Sequence, residues 1–404
     1  MKKVFIVVGG VIILILIILY FMAPLTPLKT LDFPTREREN YAIITYTFDE
    51  INDVKISNGV IVRSKENAYL VRDEVHNYTI DDYEKILGAV GDYLVTYLDY
   101  YEVRVRSHHG VIWSRSLKSG SSVAIGKDFV VVTEHDDNNL KVNVVFYFPG
   151  SGREERYSFQ SDRKGTFPKV VANGRYAVVG VPYTWELYYF EDGKLLWGGS
   201  LPLECGYEDY PEFSLVLTEE GYGYAISSEG HAFAYFTPSG SIHIGLNRGY
   251  CLSFVEEPPK NLTFVTGAAI FDKCVVLEMT YLGEYPGLYF CEIGCGHYPE
   301  NFTFKADPAK KIISSNNYLL ALYNDHASIF NCSEEVLHIQ GTYEDAYPLG
   351  NDFLLVKYEG NKTHLYIPLS NISIELDGVK IVGTFEGRVV GTRDNELILV
   401  ELKV

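Results

Sequence analysis

The sequence predicts an all-β chain folded as a β-propeller, and three observations carry that prediction. Short apolar or alternating runs of about four to eight residues follow one another from Tyr41 onward, each bounded by turn residues. Aromatic residues reach 14% of the chain, with 32 Tyr and 22 Phe, which suits a pleated, half-buried surface. The runs also recur in groups, at intervals of roughly 35 to 50 residues, the period of a blade of four antiparallel strands.

The group between Pro168 and Leu201 shows the unit most plainly. It reads PKVVANG, RYAVVGV, WELYYFEDG, KLLWGGSL, four strands joined by tight turns, the second of them almost continuously apolar. Second strands of the same kind begin at Tyr93, Phe129, Tyr222, Cys274, Tyr318, Phe353 and Arg388. The turns carry the expected chemistry: Asn58-Gly59, Asp192-Gly193, Glu229-Gly230, Asp377-Gly378 and Glu386-Gly387 all suit two-residue hairpins. No window after Tyr41 has a helical period. A lone four-stranded sheet cannot bury both faces, so blades pack face to face around an axis and their inner strands become uniformly apolar. A β-sandwich is the rival, but repetition over this length would require two or three of them.

A short first unit spans Val54 to Ile80, and the last, from Gly378, lacks a fourth strand. YAIITYTF from Tyr41 supplies that edge if the two chain ends close the ring, which removes an exposed sheet edge. Because one short unit can be an insertion, the expected count is eight blades, with seven and nine as bounds.

Ahead of the propeller (41–404) the chain divides into a stub (1–3), an apolar run (4–22) and a linker (23–40). Val4 to Met22 is uncharged; at about 1.5 Å per residue it is roughly 28 Å long, the thickness of a bilayer's hydrocarbon core. It ends Tyr20-Phe21-Met22-Ala23-Pro24, without a small-x-small cleavage pattern, so it reads as an uncleaved transmembrane anchor. Lys2 and Lys3 hold the N-terminus inside and send the rest out. APLTPLKTLDFPTREREN (23–40) has three prolines and no hydrophobic period, the signature of a stalk.

The formal net charge of −18 excludes a sequence-independent grip on nucleic acid. It equally disfavours a polybasic surface resting on anionic lipid. Six Asn-x-Ser/Thr acceptors, at Asn77, Asn261, Asn301, Asn331, Asn361 and Asn371, agree with an exported, N-glycosylated domain. So do the six cysteines, Cys205, Cys251, Cys274, Cys291, Cys295 and Cys332, an even number that reads as a disulfide set. Cys274 and Cys291 flank the Gly283–Gly287 turn and form the first candidate pair, a cross-hairpin bridge. The alternative is a zinc site of Cys291, Cys295 and His297, a loose spacing without a second ligand pair.

Two blade ends share a pattern. His109-Gly110-Val111-Ile112-Trp113-Ser114-Arg115-Ser116-Leu117 and Asp192-Gly193-Lys194-Leu195-Leu196-Trp197-Gly198-Gly199-Ser200-Leu201 each place an apolar pair after a turn Gly, then Trp, then Leu four residues on. This resembles the blade ending of PQQ-like propeller repeats, a group that spans quinoprotein dehydrogenases and non-catalytic envelope assembly scaffolds. The dehydrogenases resemble one another in a vicinal Cys-Cys pair and a carboxylate–calcium site under the quinone. This sequence has no adjacent cysteines, so the resemblance implies the scaffold branch and no cofactor.

Candidate chemistry is sparse. Glu134-His135-Asp136-Asp137 is the densest polar cluster, with carboxylates and an imidazole suited to a divalent cation or to acid–base work, set against a solvated hairpin tip. His108-His109 and Asn324-Asp325-His326 read as turns. Tyr207, Glu208, Asp209 and Tyr210, beside Cys205, form an acidic-aromatic loop of the kind that cups sugars or peptides. No G-x-S-x-G elbow, H-E-x-x-H or phosphate-binding Gly-rich loop is present, and the catalytic residues of any reaction are unassigned. The sequence therefore points to a single-pass, outward-facing propeller of an archaeal cell envelope, binding envelope or surface-layer proteins or glycans without catalysis. The alternatives are an exported polysaccharide-active or quinone- or metal-dependent enzyme with its site in the central funnel, and an accessory subunit of a larger membrane complex.

Overall fold

The computed structural model describes residues 41–99, 101–161, 164–182, 184–200, 213–227, 232–244, 263–282, 285–294 and 299–403. The stub, the apolar run 4–22 and the stalk lie outside the described residues. Among those described, no helix is long and apolar enough to cross a membrane.

The described residues form nine antiparallel sheets of four strands, a nine-bladed propeller. The blades span 53–79, 84–116, 122–160, 169–200, 213–244, 264–306, 311–340, 345–377 and 380–402, the last completed by Tyr41–Thr47. The count is nine, at the upper bound of the expected range rather than at its central value of eight. The short first unit is a whole blade, with strands Asp53–Ile56, Val60–Ser64, Asn67–Val71 and Val75–Thr79. It is short because its strands and turns are short, not because a strand is missing.

Closure takes the form read from the sequence. Tyr41–Thr47 lies antiparallel on Glu396–Leu402, with Tyr41 opposite Leu402 and Thr47 opposite Glu396. The first strand of each blade is innermost and touches that of the next around the ring, the first blade meeting the ninth. Between the fifth and sixth blades the contact passes instead through the fifth blade's second strand, Gly223–Ser227.

Burial follows position in the blade. Leu319–Leu322, a second strand, is buried throughout, whereas the outermost strand Lys194–Ser200 exposes most of its side chains. The core lies between blades: Leu354, Val356 and Leu365 of the eighth pack on Ile381, Val389 and Ile398 of the ninth. Each such side chain contributes about 1.5–3 kcal/mol over the exposed state. Asp192 and Gly193 both take positive φ, 48° and 77°, as their hairpin demands. A Cβ on Gly193 would stand 2.6 Å from Phe148 of the preceding blade, so the glycine also permits blade packing.

The expected Cys274–Cys291 bridge is corrected. Cys274 bonds Cys332 instead, joining the sixth blade's second strand to a turn of the seventh. The ladder explains why: Val275, not Cys274, stands opposite Cys291, so the two cysteines face opposite sides of their sheet. Cys274 packs toward the seventh blade and Cys291 toward the fifth. Cys291 is itself disulfide-bonded, which removes it as a zinc thiolate. Cys205, Cys251 and Cys295, like His297, lie outside the described residues.

Candidate functional site

Four antiparallel strands in sequence give each blade two kinds of end. Turns between strands one and two and between strands three and four share one end. Turns between strands two and three, and the connectors from blade to blade, share the other, here called the connector end. Tyr41 begins beside Leu402, so the chain enters the ring at the end opposite the connectors.

The connector end is where exposed aromatic side chains gather. Tyr83 is 75% exposed and Tyr101 is 74% exposed. Phe167 is also exposed and lies across Gly120, where a Cβ would collide with its ring. Leu282 and Tyr285 are exposed at the same end of the sixth blade. At the opposite end the exposed large apolar side chains beside the turns are aliphatic, such as Val111, Leu195 and Val336, and among the described residues none of those turns exposes a Phe, Tyr or Trp ring.

Strand register sets both tyrosines at the connector end of the second blade, Tyr83 before its first strand and Tyr101 before its third. Tyr83 precedes Glu84, which pairs with Leu98, and Asp99 and Tyr101 follow Leu98 on the neighbouring strand. Asp81, Asp82 and Asp99 are exposed among them. Beneath lies a fully buried carboxylate, Glu84, whose Oε1 accepts from Arg104 Nη1 at 2.7 Å and Arg106 Nη2 at 2.6 Å. Arg104 also donates to Asp81 Oδ2 at 3.2 Å and Glu102 Oε1 at 3.2 Å. Its hydrogen bond holds the Glu102 carboxyl below its ordinary pKa. Arg63 reaches over from the first blade to the Asp82 carbonyl at 2.8 Å. The aromatic surface therefore stands on a cross-linked polar base that holds it preorganised.

The cluster at 134–137 does not converge. Successive strand residues point to opposite faces, so Glu134 turns to the second blade and His135 away from it. Glu134 takes Arg115 on both oxygens, at 3.1 and 3.0 Å. His135 Nδ1 meets Asp137 Oδ1 at 2.8 Å, and Asp137 also accepts from the Gly165 amide at 2.8 Å. Asp136 closes the turn by accepting from the Asn138 and Asn139 amides at 3.1 and 3.3 Å. Hydrogen bonds, from Gly165 to Asp137 and from Asn139 to Asp136, hold both carboxyls below their ordinary values. These are blade-to-blade and turn contacts. Among the described residues, no three His, Cys, Asp or Glu side chains are placed to share a metal ion.

The other turns hold more than sequence reasoning found. The rings of His108 and His109 sit 3.9 Å apart rather than diverging. His326 stacks on Tyr323 at 4.3 Å and lies 4.7 Å from His338 on the adjacent strand. Burial, with the charges of Asp307, Glu335 and Glu278, pushes the Tyr323 phenol up to about 12. The hairpin from His326 to Gln340 carried the signal, since its register sets Ser328 opposite His338. Residues 201–212, which include Tyr207, Glu208, Asp209 and Tyr210, lie outside the described residues.

The two tryptophans of the shared blade-end pattern both clasp the next blade. Trp113 stacks on Tyr147 at 4.7 Å and donates to Glu154 Oε1 at 2.6 Å. Trp197 donates to the Thr237 carbonyl at 3.1 Å. An aromatic residue there suits blade packing in any propeller, so the pattern alone does not assign a family.

No known protein family matches the chain. No curated protein matches it in sequence either. Similar solved structures include YCF48 bound to D1 peptide, at 9% identity and TM-score 0.36, covering 89% of this chain and 96% of that one. YCF48 from Cyanidioschyzon merolae is similar at 12% identity and TM-score 0.35, covering 88% and 96%. The AfRom2 CNH domain is similar at 9% identity and TM-score 0.33, covering 88% and 95%. The propeller assignment rests on this chain's own sheet order.

Proposed function

We propose that this protein is a membrane-anchored, extracytoplasmic scaffold whose connector end docks an envelope protein or surface glycan without catalysis. One observation carries the reading: exposed aromatic side chains crowd the connector turns and are missing from the described turns of the opposite end. Tyrosine offers a flat apolar face and a hydroxyl at low conformational cost, which suits a binding surface. Chain entry favours the same sidedness. An anchor at 4–22 joined to Tyr41 sets the entry end toward the bilayer and the connector end outward. Closure by the N-terminal strand stiffens the platform that the anchor presents.

The test is gentle detergent extraction of the native chain, with mass spectrometry of what co-purifies, repeated on Tyr83→Ser/Tyr101→Ser. A stoichiometric partner that the double variant loses, while the ring melts normally, supports the scaffold. A solitary protein with an equimolar metal or quinone sinks it.

A further inference from the structure

The potential N-glycosylation acceptors are unevenly placed on the ring. None falls between Asn77 and Asn261. Asn301, Asn361 and Asn371 are exposed in turns of the sixth and eighth blades. Asn301 is in a 3-10 turn, Asn361 in the turn between Asp352–Glu359 and Lys362–Ile367, and Asn371 in the turn before Ile372–Asp377. Asn77 is different. It lies within strand Val75–Thr79, paired with Tyr69, and its Oδ1 is buried. The next residue, Tyr78, is 2% exposed core and donates to the Asp92 carbonyl. Asn331 is half-buried, with Oδ1 accepting from the Ser333 and Glu334 amides at 2.8 Å each. Cys332, the middle residue of that acceptor triplet, is tied down to Cys274.

We infer that the folded ring accepts N-linked glycan at Asn301, Asn361 and Asn371 and refuses it at Asn77 and Asn331. The acceptor asparagine must stand exposed and outside the ladder to reach a transferase. The amide Nδ2 attacks the anomeric carbon of a polyprenyl-phosphate-linked oligosaccharide. The N–C bond forms, the C–O bond to phosphate breaks, the polyprenyl phosphate leaves with the electron pair, and the amide proton passes to a base. Asn301, Asn361 and Asn371 meet that requirement, each standing exposed in a turn just before its triplet runs into a strand; Asn77 within a strand and Asn331 beside a disulfide do not. The sugars then cover the arc of the sixth to eighth blades. The second and third blades and the connectors about them, which bear Tyr83, Tyr101 and Phe167, stay bare for the partner. This inference rests on the exported reading proposed above.

The experiment expresses the full chain in an N-glycosylating host, with an Asn-Ala-Thr tag added after Val404, and maps glycopeptides by mass spectrometry. The expected result is glycan on the tag and on the three exposed asparagines. Asn301→Gln/Asn361→Gln/Asn371→Gln should lose those three and Asn77→Gln should lose none. A modified tag with bare native turns, or with glycan on Asn77 or Asn331, overturns the inference and leaves export standing. A bare tag, protected from protease added outside the cell, overturns export and the inference with it.

Discussion

Cutting the Cys274–Cys332 cross-link gives a quantitative test of how the blades hold together. The bond closes a loop of 58 residues. Chain entropy lost by the unfolded state then amounts to about 4 kcal/mol at 25 °C. Cys274 is fully buried and Cys332 only half-buried, so Cys332→Ala removes the link while leaving the core side chain in place. For a ring of roughly 360 residues, the unfolding entropy is about 0.75 kcal/mol per degree, and the expected drop in Tm is about 5 °C. The assay is scanning calorimetry of wild type and Cys332→Ala without reductant. A reductant should lower the variant's Tm further, because the disulfide at Cys291 survives the substitution. A fall of under about 1 °C would show that the unfolded ensemble gains no freedom from the cut, and the entropic account would be wrong. A non-reducing peptide map that joins Cys274 to Cys291 would refute the strand register itself.

Glu84→Gln leaves Arg104 and Arg106 without their shared buried charge and should cost about 3 kcal/mol in a urea titration. The indole of Trp113, followed by Arg156, holds the Glu154 carboxyl below its ordinary pKa. Its contribution is therefore present at neutral pH and lost as pH falls through the carboxylate range, and Glu154→Gln should flatten the acid limb of the stability curve. Glu278 is the opposite case, because burial raises its carboxyl and the folded state prefers it protonated. Wild-type stability should fall as pH rises from the ordinary glutamate pKa through the raised one. Glu278→Gln, which keeps an acceptor for the Ala309 amide, should melt higher than wild type at pH 7 with no gain at pH 4. Deleting residues 41–47 strips the partner from Glu396–Leu402 and should drive edge-paired association, seen as a shift to larger species in size-exclusion chromatography.

The candidate site was far less legible than the fold. Tyr83 and Tyr101 are unremarkable as residues, each beside a turn in a chain with 32 tyrosines. Only the pairing of Glu84 with Leu98, and of Leu98 with Glu102, sets them at the same end of one blade. Conversely, Glu134 and His135 are neighbours in sequence and back to back in space. Adjacency in a strand is a poor guide to a site, because alternation sends consecutive side chains to different blades. The Arg104 and Arg106 contacts to Glu84 also cross from strand to strand, at separations of 20 and 22 residues.

What the sequence determined by itself was local and periodic. Turn pairs fixed hairpins, uniformly apolar second strands marked burial on both faces, and recurrence implied blades around an axis. The ring's closure was legible because one unit lacked an edge and one strand, at Tyr41, lacked a blade. The tertiary structure alone decided the blade count, since a unit of short strands is complete only when all its ladders are seen. It alone decided that Cys274 reaches Cys332, because one step of register reverses the face a side chain meets. It also set the exposed tyrosines on one end of the ring and chain entry on the other. That sidedness belongs to the whole circle of strands, and no stretch of sequence contains it.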